Sequence, residues 1–202
     1  ILRAFKHFLQ EHPDSSLLLV GADLIDIKNQ IKDLGLSKSV IETGYVSENS
    51  IQDFLAISDF CINLRYPTAG ETSRSVLQLM AGAKPVIVSN VGWFCELPND
   101  CCLKVDVNSY EEDTLLEYMN LLASDEKVIR IIGRNAQNYV LNKHNPKKLS
   151  IELYHFFRDL LDGNSIVLGK VSEELINLGV SEDDGAIIRS ISEKVHEFVS
   201  NK

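Results

Sequence analysis

Short apolar runs alternate with amphipathic helical segments between residues 17 and 105, and this alternation limits the fold more than any other feature. Residues 17–20 (Leu-Leu-Leu-Val) and 86–89 (Val-Ile-Val-Ser) are continuous runs of the kind found in parallel strands buried on both faces. Further strands are predicted at residues 40–43, 59–64 and 101–105. Because strands that alternate with helices connect in a right-handed way, the sequence predicts an α/β fold with a doubly wound parallel sheet.

The remaining segments, between the strands and after them, have apolar residues at helical spacing. The predicted helices are residues 1–11, 23–34, 51–57, 71–82, 109–123, 126–142 and 146–161. Asp23 and Ser47 are candidate N-caps, and Ser109 with Glu112 forms a capping-box pattern. Ile1 lies inside the first helical pattern, so we expect a strand to precede it in a longer parent chain.

Residues 162–165 (Asp-Gly-Asn-Ser) have the composition of a linker, and acidic helical segments follow at residues 172–178 and 184–199. We therefore predict one domain over residues 1–161 and a helical extension over residues 162–202. The extension is expected to cover an edge of the domain; the alternative is a docking or oligomerisation helix.

Charge and cysteine content exclude several classes of function. The 202 residues carry a formal net charge of -9, which argues against nucleic acid or an anionic membrane as the main partner. Cys61, Cys95, Cys101 and Cys102 form no metal-binding spacing, and we interpret them as reduced packing residues of a cytoplasmic protein. The histidines are scattered along helices, so we expect no metal site.

The segment between residues 63 and 75 is the main candidate for a binding site. It follows a predicted strand, contains Pro67 and Gly70, and leads into a helix start that is rich in hydroxyl groups. Unpaired N–H groups at a helix N-terminus favour an anion such as phosphate. The structural alternative is a capping box in which Thr68 is the N-cap and Glu71 reaches back to it.

Five separate pieces of the sequence, in order, resemble one known family. They are residues 17–21, 43–46 (Thr-Gly-Tyr-Val), 70–73 (Gly-Glu-Thr-Ser), 83–92 (Ala-Lys-Pro-Val-Ile-Val-Ser-Asn-Val-Gly) and 96–98 (Glu-Leu-Pro). Together they resemble the C-terminal, donor-binding half of a GT-B glycosyltransferase, most closely the retaining group 1 enzymes of family 4. The resemblance covers about residues 1–157.

The resemblance implies a Rossmann-like domain that binds a nucleotide-diphosphate sugar as donor substrate, with no metal or other cofactor. It also implies an N-terminal acceptor domain in the same parent chain, which would carry any peripheral membrane contact. The chain alone is then expected to be inactive, while the whole enzyme transfers a sugar with retention. Two alternatives stay open: a nucleotide-sugar epimerase or phosphorylase of GT-B architecture, and a non-catalytic Rossmann-like interaction module.

The resemblance also assigns roles to individual residues. Family members carry two glutamates separated by seven residues, whereas Gly70 and Gln78 occupy those positions here, so the pair is not intact. Glu71 is then the candidate catalytic carboxylate for the sugar, and Gln78 the candidate ribose contact. The other implied donor contacts are Gly44, Tyr45 and Val46 at the base, and Arg65, Gly70, Thr72, Ser73 and Ser75 at the diphosphate.

Several of these residues also have structural interpretations. Arg65 and Arg74 are the nearest basic candidates for the diphosphate, and both are also explained as surface or ion-pair residues. Tyr45 is equally explained by packing on its neighbour in a strand-end turn. Gly92 and Trp93 are predicted to line the rim of the cleft, although a single Trp is also a common core residue.

Overall fold

The structure is a computed structural model, and it describes residues 1–21 and 27–161. In chain order, its strands and helices are α1 (Leu2–Glu11), β1 (Leu17–Val20), α2 (Lys28–Asp33), β2 (Val40–Gly44), α3 (Glu48–Ile57), β3 (Cys61–Asn63), α4 (Arg74–Ala81), β4 (Val86–Ser89), a 3₁₀ helix (Gly92–Glu96), β5 (Leu103–Val105), α5 (Glu111–Ser124), α6 (Glu126–Lys143) and α7 (Pro146–Leu161). The predicted order of strands and helices is confirmed throughout the described residues.

Within the described residues, the named strands pair only in parallel, and they form two hydrogen-bonded groups. β1 pairs with β2, whereas β3, β4 and β5 form a second group with β4 in the middle. In the central strand, Ile87 lies beside Ile62 on one side and Leu103 on the other. Parallel pairing places the carboxyl ends of β3, β4 and β5 at one edge of this sheet.

Helices cover both faces of the sheet, as expected for a doubly wound arrangement. Ile87 of β4 lies in a core cluster with α1, α2 and α5, whereas Val86 and Val88 lie in a second cluster with α4, the 3₁₀ helix and α6. Because successive side chains of a strand point to opposite faces, these two clusters are the two sides of one sheet. Phe5 and Phe8 of α1 anchor the first cluster, and Met80 and Phe94 anchor the second.

Close packing at the end of α4 leaves no room for a side chain on the helix that crosses it. A Cβ on Gly133 of α6 would lie 2.1 Å from the carbonyl oxygen of Ala83. Glycine at this position therefore allows α6 to lie directly against the turn that leads into β4. Both later helices reach the core clusters of the sheet: α5 lies in the cluster of Ile87, and α6 lies in the cluster of Val86 and Val88.

Three local predictions are wrong. The N-cap of α5 is Tyr110, not Ser109, and no side chain caps that helix. The Tyr110 N–H is donated to the Asn108 side chain in the turn before the helix. Cys95 is exposed and does not serve as a packing residue, although Cys101 and Cys102 are buried. Trp93 is 7% exposed within the second core cluster, so it is a core residue and not part of a cleft rim.

Contacts between residues divide the chain into two units, Ile1–Lys143 and His144–Lys202, and α7 belongs to the second. The predicted cap at Asp23, the predicted linker and the two helical segments after it lie outside the described residues.

Candidate functional site

Residues 64–73 connect β3 to α4, and we call them the β3–α4 loop. The loop starts at the carboxyl end of β3, beside the carboxyl end of β4. Its first turn is fixed to the sheet by Ser89, a buried residue at the end of β4, whose hydroxyl oxygen accepts the Arg65 N–H at 3.0 Å. The segment predicted as the binding site therefore lies at the edge of the sheet where α/β proteins bind ligands.

Glu71 is the centre of the polar contacts within this loop. One carboxylate oxygen accepts from the Arg65 guanidinium at 2.8 Å. The other accepts from the Thr68 hydroxyl at 3.1 Å and from the Ala69 N–H at 3.0 Å. The Gly70 N–H in turn donates to the Thr68 hydroxyl oxygen at 3.2 Å. These contacts close residues 65–71 into one hydrogen-bonded unit.

The same contacts stabilise the charged form of the Glu71 carboxyl. Its own backbone N–H, the Thr68 hydroxyl and the Arg65 guanidinium, in that order, hold the pKa of Glu71 below its usual value. The side chains of Arg65 and Glu71 are 43% and 47% exposed, so their ion pair is accessible to solvent and to a ligand. Glu71 is therefore an anion at neutral pH.

The predicted helix start at this position is wrong, and with it the predicted capping box. The N-cap of α4 is Ser73, whose hydroxyl oxygen accepts the Val76 N–H at 3.4 Å. Thr68 lies too early to cap α4, because Gly70 has a φ of 85° that turns the chain away from a helical path. Glu71 does reach back toward Thr68, but in a turn of the loop and not in the first turn of a helix.

The hydroxyl groups at the start of α4 differ in accessibility. Ser73 is 2% exposed, and its hydroxyl is already used by the cap and by a contact of 3.0 Å with the Ser75 hydroxyl. Ser75 is exposed and also lies 3.4 Å from the Asn63 amide nitrogen. Thr72 is exposed, and it has no hydrogen-bond partner within the part of the chain that the structure describes. Thr72 and Ser75 are therefore the hydroxyl groups that a ligand can reach.

Gln78 and Arg74 also lie on α4, in its middle and at its start. Gln78 is half-buried and follows Ser75 by three residues, so the two side chains share one face of the helix. Arg74 is the first residue of α4 and is exposed.

The residues assigned to the base form a separate group at the end of β2. Gly44 has a φ of 66°, and its carbonyl oxygen accepts the Gly21 N–H at 3.2 Å, which joins the ends of β1 and β2. Tyr45 is 86% exposed, so the prediction that it packs on its neighbour is wrong. Val46 is half-buried. Exposure of Tyr45 beside a strand end is compatible with stacking on a planar ligand.

Two further residues support the loop: Ser89, which was not assigned from the sequence, and Gly92, which was predicted only to line the rim of the cleft. Ser89 holds the Arg65 N–H, and Gly92 contacts the middle of the loop through Thr68 and Gly70. A polar residue at the end of an apolar strand was the available signal for Ser89. The sequence shows a glycine at position 92, but it does not show that this glycine lies beside Thr68, because that contact depends on the tertiary structure.

The described residues contain neither a cluster of metal-ligating side chains nor a membrane-spanning helix. Among them, no group of three or more His, Cys, Asp or Glu side chains is placed to hold a metal ion. No helix within the described ranges is both long and apolar enough to cross a bilayer.

Comparison with known proteins gives the family. Residues 1–139 match the sequence profile of the family described as glycosyl transferases group 1. The chain is also similar to the Escherichia coli UDP-Gal:alpha-D-GlcNAc-diphosphoundecaprenol alpha-1,3-galactosyltransferase, with 26% identity over 168 residues. That match covers 78% of this chain and 41% of the relative, so the chain spans less than half of the relative's length.

Solved structures show the fold. The C-terminal domain of a group 1 glycosyl transferase (LpcC) from Francisella tularensis has a TM-score of 0.62 at 22% identity, covering 72% of this chain and 77% of that one. HepE from Anabaena in complex with UDP-glucose has a TM-score of 0.66 at 19% identity, covering 77% of this chain and 44% of that one. The expected Rossmann-like GT-B fold is therefore confirmed. With residues 1–139 matched, the chain belongs to the group 1 glycosyl transferases.

Proposed function

We propose that this chain is the donor-binding domain of a glycosyltransferase that moves a sugar from a UDP-sugar to an acceptor with retention at the anomeric carbon. The family match carries this proposal, because it includes the whole β3–α4 loop and the start of α4. Support for UDP comes from the printed names of similar proteins, a UDP-galactose transferase and a structure bound to UDP-glucose.

The chemical task of such a site is to hold the diphosphate and to stabilise the negative charge that develops on it as the sugar leaves. We assign the diphosphate to the start of α4, where Thr72 and Ser75 offer exposed hydroxyl groups and the helix dipole favours an anion. Gly70 takes part through the backbone turn, since its own N–H is already donated to Thr68. Ser73 contributes through the cap that fixes this helix start.

Glu71 is assigned to the sugar hydroxyls. A carboxylate beside a diphosphate is repelled by it, so the favourable position for Glu71 is toward the neutral sugar. Its ion pair with Arg65 is solvent-exposed, and such pairs contribute little stability. Replacement of the Arg65 contact by sugar hydroxyls therefore costs little, and it frees the Arg65 side chain for the diphosphate, while Thr68 and Ala69 continue to hold the other carboxylate oxygen.

The uridine is assigned to the end of β2, with Gly44 and Val46 supplying backbone groups and Tyr45 its ring. Gln78 is assigned to the ribose, as an uncharged replacement for a family glutamate. We expect an N-terminal acceptor domain in the parent chain, and any peripheral contact with a membrane through that domain. Four cysteines without disulfides support a cytoplasmic location.

Titration with UDP, GDP, UDP-glucose and UDP-galactose, followed by NMR, tests this proposal. We expect millimolar or tighter binding of the uridine compounds, with signal shifts concentrated at residues 44–46 and 70–78. Absence of binding for every nucleotide and nucleotide sugar would reject the proposed function. A preference for GDP would retain the donor site but reject UDP.

The variant Glu71→Gln tests the catalytic assignment. We expect about tenfold weaker binding of a UDP-sugar and unchanged binding of UDP, because one charge-assisted hydrogen bond is worth roughly 1.5–3 kcal/mol. The matched control is Glu117→Gln, an exposed carboxylate on α5. Equal loss for UDP and UDP-sugar would show that Glu71 does not contact the sugar.

A further inference from the structure

Ser89 and Gly92 lie next to the β3–α4 loop without being part of it. Ser89 is the last residue of β4 and is 1% exposed, and its hydroxyl oxygen accepts the Arg65 N–H at 3.0 Å. The strand lies between β3 and β5, and Ser89 itself pairs with Val105 of β5, which fixes its position. The start of the loop is therefore attached to a rigid interior strand.

Gly92 contacts the middle of the same loop. It is the first residue of the 3₁₀ helix, with a φ of 54°. A Cβ at this position would lie 2.8 Å from the Thr68 methyl carbon and 3.2 Å from the Gly70 Cα. The first distance is shorter than real carbon contacts allow, so any side chain at residue 92 would displace Thr68.

Displacement of Thr68 would be transmitted to Glu71. The Thr68 hydroxyl donates to the Glu71 carboxylate at 3.1 Å and accepts the Gly70 N–H at 3.2 Å. Arg65, whose N–H is held by Ser89, binds the other Glu71 oxygen at 2.8 Å. Both supports therefore act on the same carboxylate, one through Arg65 and one through Thr68.

We propose that Ser89 and Gly92 are positioning residues, which fix the β3–α4 loop against the end of β4 and thereby set the affinity for the nucleotide-sugar donor. This inference rests on the proposed function. Binding groups lose much of their effect when they are displaced by about 1 Å, and rigid support from neighbouring residues prevents such displacement. The two residues act through Arg65, Thr68 and Glu71, not by contact with the donor.

A rescue experiment in the full chain tests the role of Gly92. We expect Gly92→Ala to weaken UDP-glucose binding about tenfold or more, because the new methyl group displaces Thr68. Thr68→Ser removes the methyl carbon that the new group would meet but keeps the hydroxyl, so the double variant should recover most of the lost affinity. Such coupling between neighbours is what a double-mutant cycle measures.

The control for Gly92→Ala is Gly35→Ala. Gly35 has a φ of 74° and open space around its Cβ position, so this variant introduces the same backbone strain without a contact. We expect Gly35→Ala to leave UDP-glucose binding unchanged. Gly92→Ala binding as tightly as Gly35→Ala, or no recovery in the double variant, would overturn the proposal.

Ser89→Ala is the second, independent variant. It removes the acceptor of the Arg65 N–H from a site that easily holds alanine, and we expect UDP-glucose binding to weaken several-fold. Unchanged binding in Ser89→Ala would overturn the role of this residue.

NMR spectra recorded without nucleotide separate this proposal from the proposed function. In Gly92→Ala the amide signals of residues 68–71 should move, and Thr68→Ser should return them toward their wild-type positions. If the wild-type chain binds no UDP-glucose but these signals behave as expected, the function is wrong and the positioning is right. Signals that stay in place in Gly92→Ala would reject the positioning itself.

Discussion

The central strand β4 and the β3–α4 loop are neighbours in space, but they are stabilised in opposite ways. Val86, Ile87, Val88 and Ser89 are all buried, with a strand on each side and a hydrophobic cluster on each face. The loop is mostly exposed, and its shape depends on polar contacts around Glu71. Burial is worth far more free energy than exposed polar contacts. Changes in β4 should therefore alter stability, whereas changes in the loop should alter ligand binding.

The largest expected effect is a loss of stability, which we compare between two isoleucines, one in β4 and one in β2. Ile87→Ala in β4 removes a fully buried side chain, which should lower the free energy of unfolding by about 2–5 kcal/mol. Ile41→Ala in β2 removes a side chain that is 50% exposed, and we expect about 1 kcal/mol or less. Urea denaturation of both variants gives the two values. Similar losses would mean that burial does not distinguish β4 from an outer strand.

The next effect compares Ser73, at the start of α4, with Thr68, in the loop before it. Ser73→Ala removes the observed N-cap and should lower the free energy of unfolding by about 1 kcal/mol. Thr68→Ala removes only exposed contacts in the loop, so its effect should be about 0.5 kcal/mol or less. Thermal unfolding of both variants measures this difference. A larger loss for Thr68→Ala would return the helix start to the position that the sequence predicted.

The smallest expected effect is the change in stability with pH that comes from Glu71 in the loop. Because the pKa of Glu71 is lowered in the folded chain, its contribution to stability is present above the unfolded pKa and disappears as pH falls through the folded pKa. An NMR titration should therefore show Glu71 protonating below the usual range for glutamate.

Arg65→Gln should raise the Glu71 pKa only part of the way, since the backbone N–H of Glu71 and the Thr68 hydroxyl remain. An unperturbed Glu71 in the wild-type chain would mean that the hydrogen bonds around it do not form in solution.

The regular parts of this fold were accessible from the sequence because they depend on local patterns. The apolar run at β4 gave the observed bounds, since burial on both faces requires apolar side chains there. The bounds of β1 and α7 were also predicted from their patterns, although Val20 of β1 and Leu153 and Phe157 of α7 are exposed. The start of α4 was not accessible, because Thr68 and Ser73 both have hydroxyl groups that can cap a helix. Only the backbone turn at Gly70 decides between them.

The position of the candidate site could be predicted from the sequence for the same reason, but its contacts could not. A strand end, a glycine and a run of hydroxyl groups indicated the loop, but they did not show that Glu71 is paired with Arg65. Trp93 was placed at a surface rim from its neighbours in the sequence, whereas packing against α4 and α6 buries it. Partners that are distant in sequence, such as Ser89 for Arg65, cannot be read from a local pattern.

The sequence by itself determined the parallel α/β arrangement and the position of the candidate loop, because hydrophobic period and chain order are properties of neighbouring residues. Only the tertiary structure decided which hydroxyl caps α4, which basic residue forms the ion pair with Glu71 and which residues support the loop. The support of the loop depends on Ser89 and Gly92, which come close to it only when β4 packs beside β3. Contacts of this kind are selected by the free energy of the whole domain, and no local segment contains them.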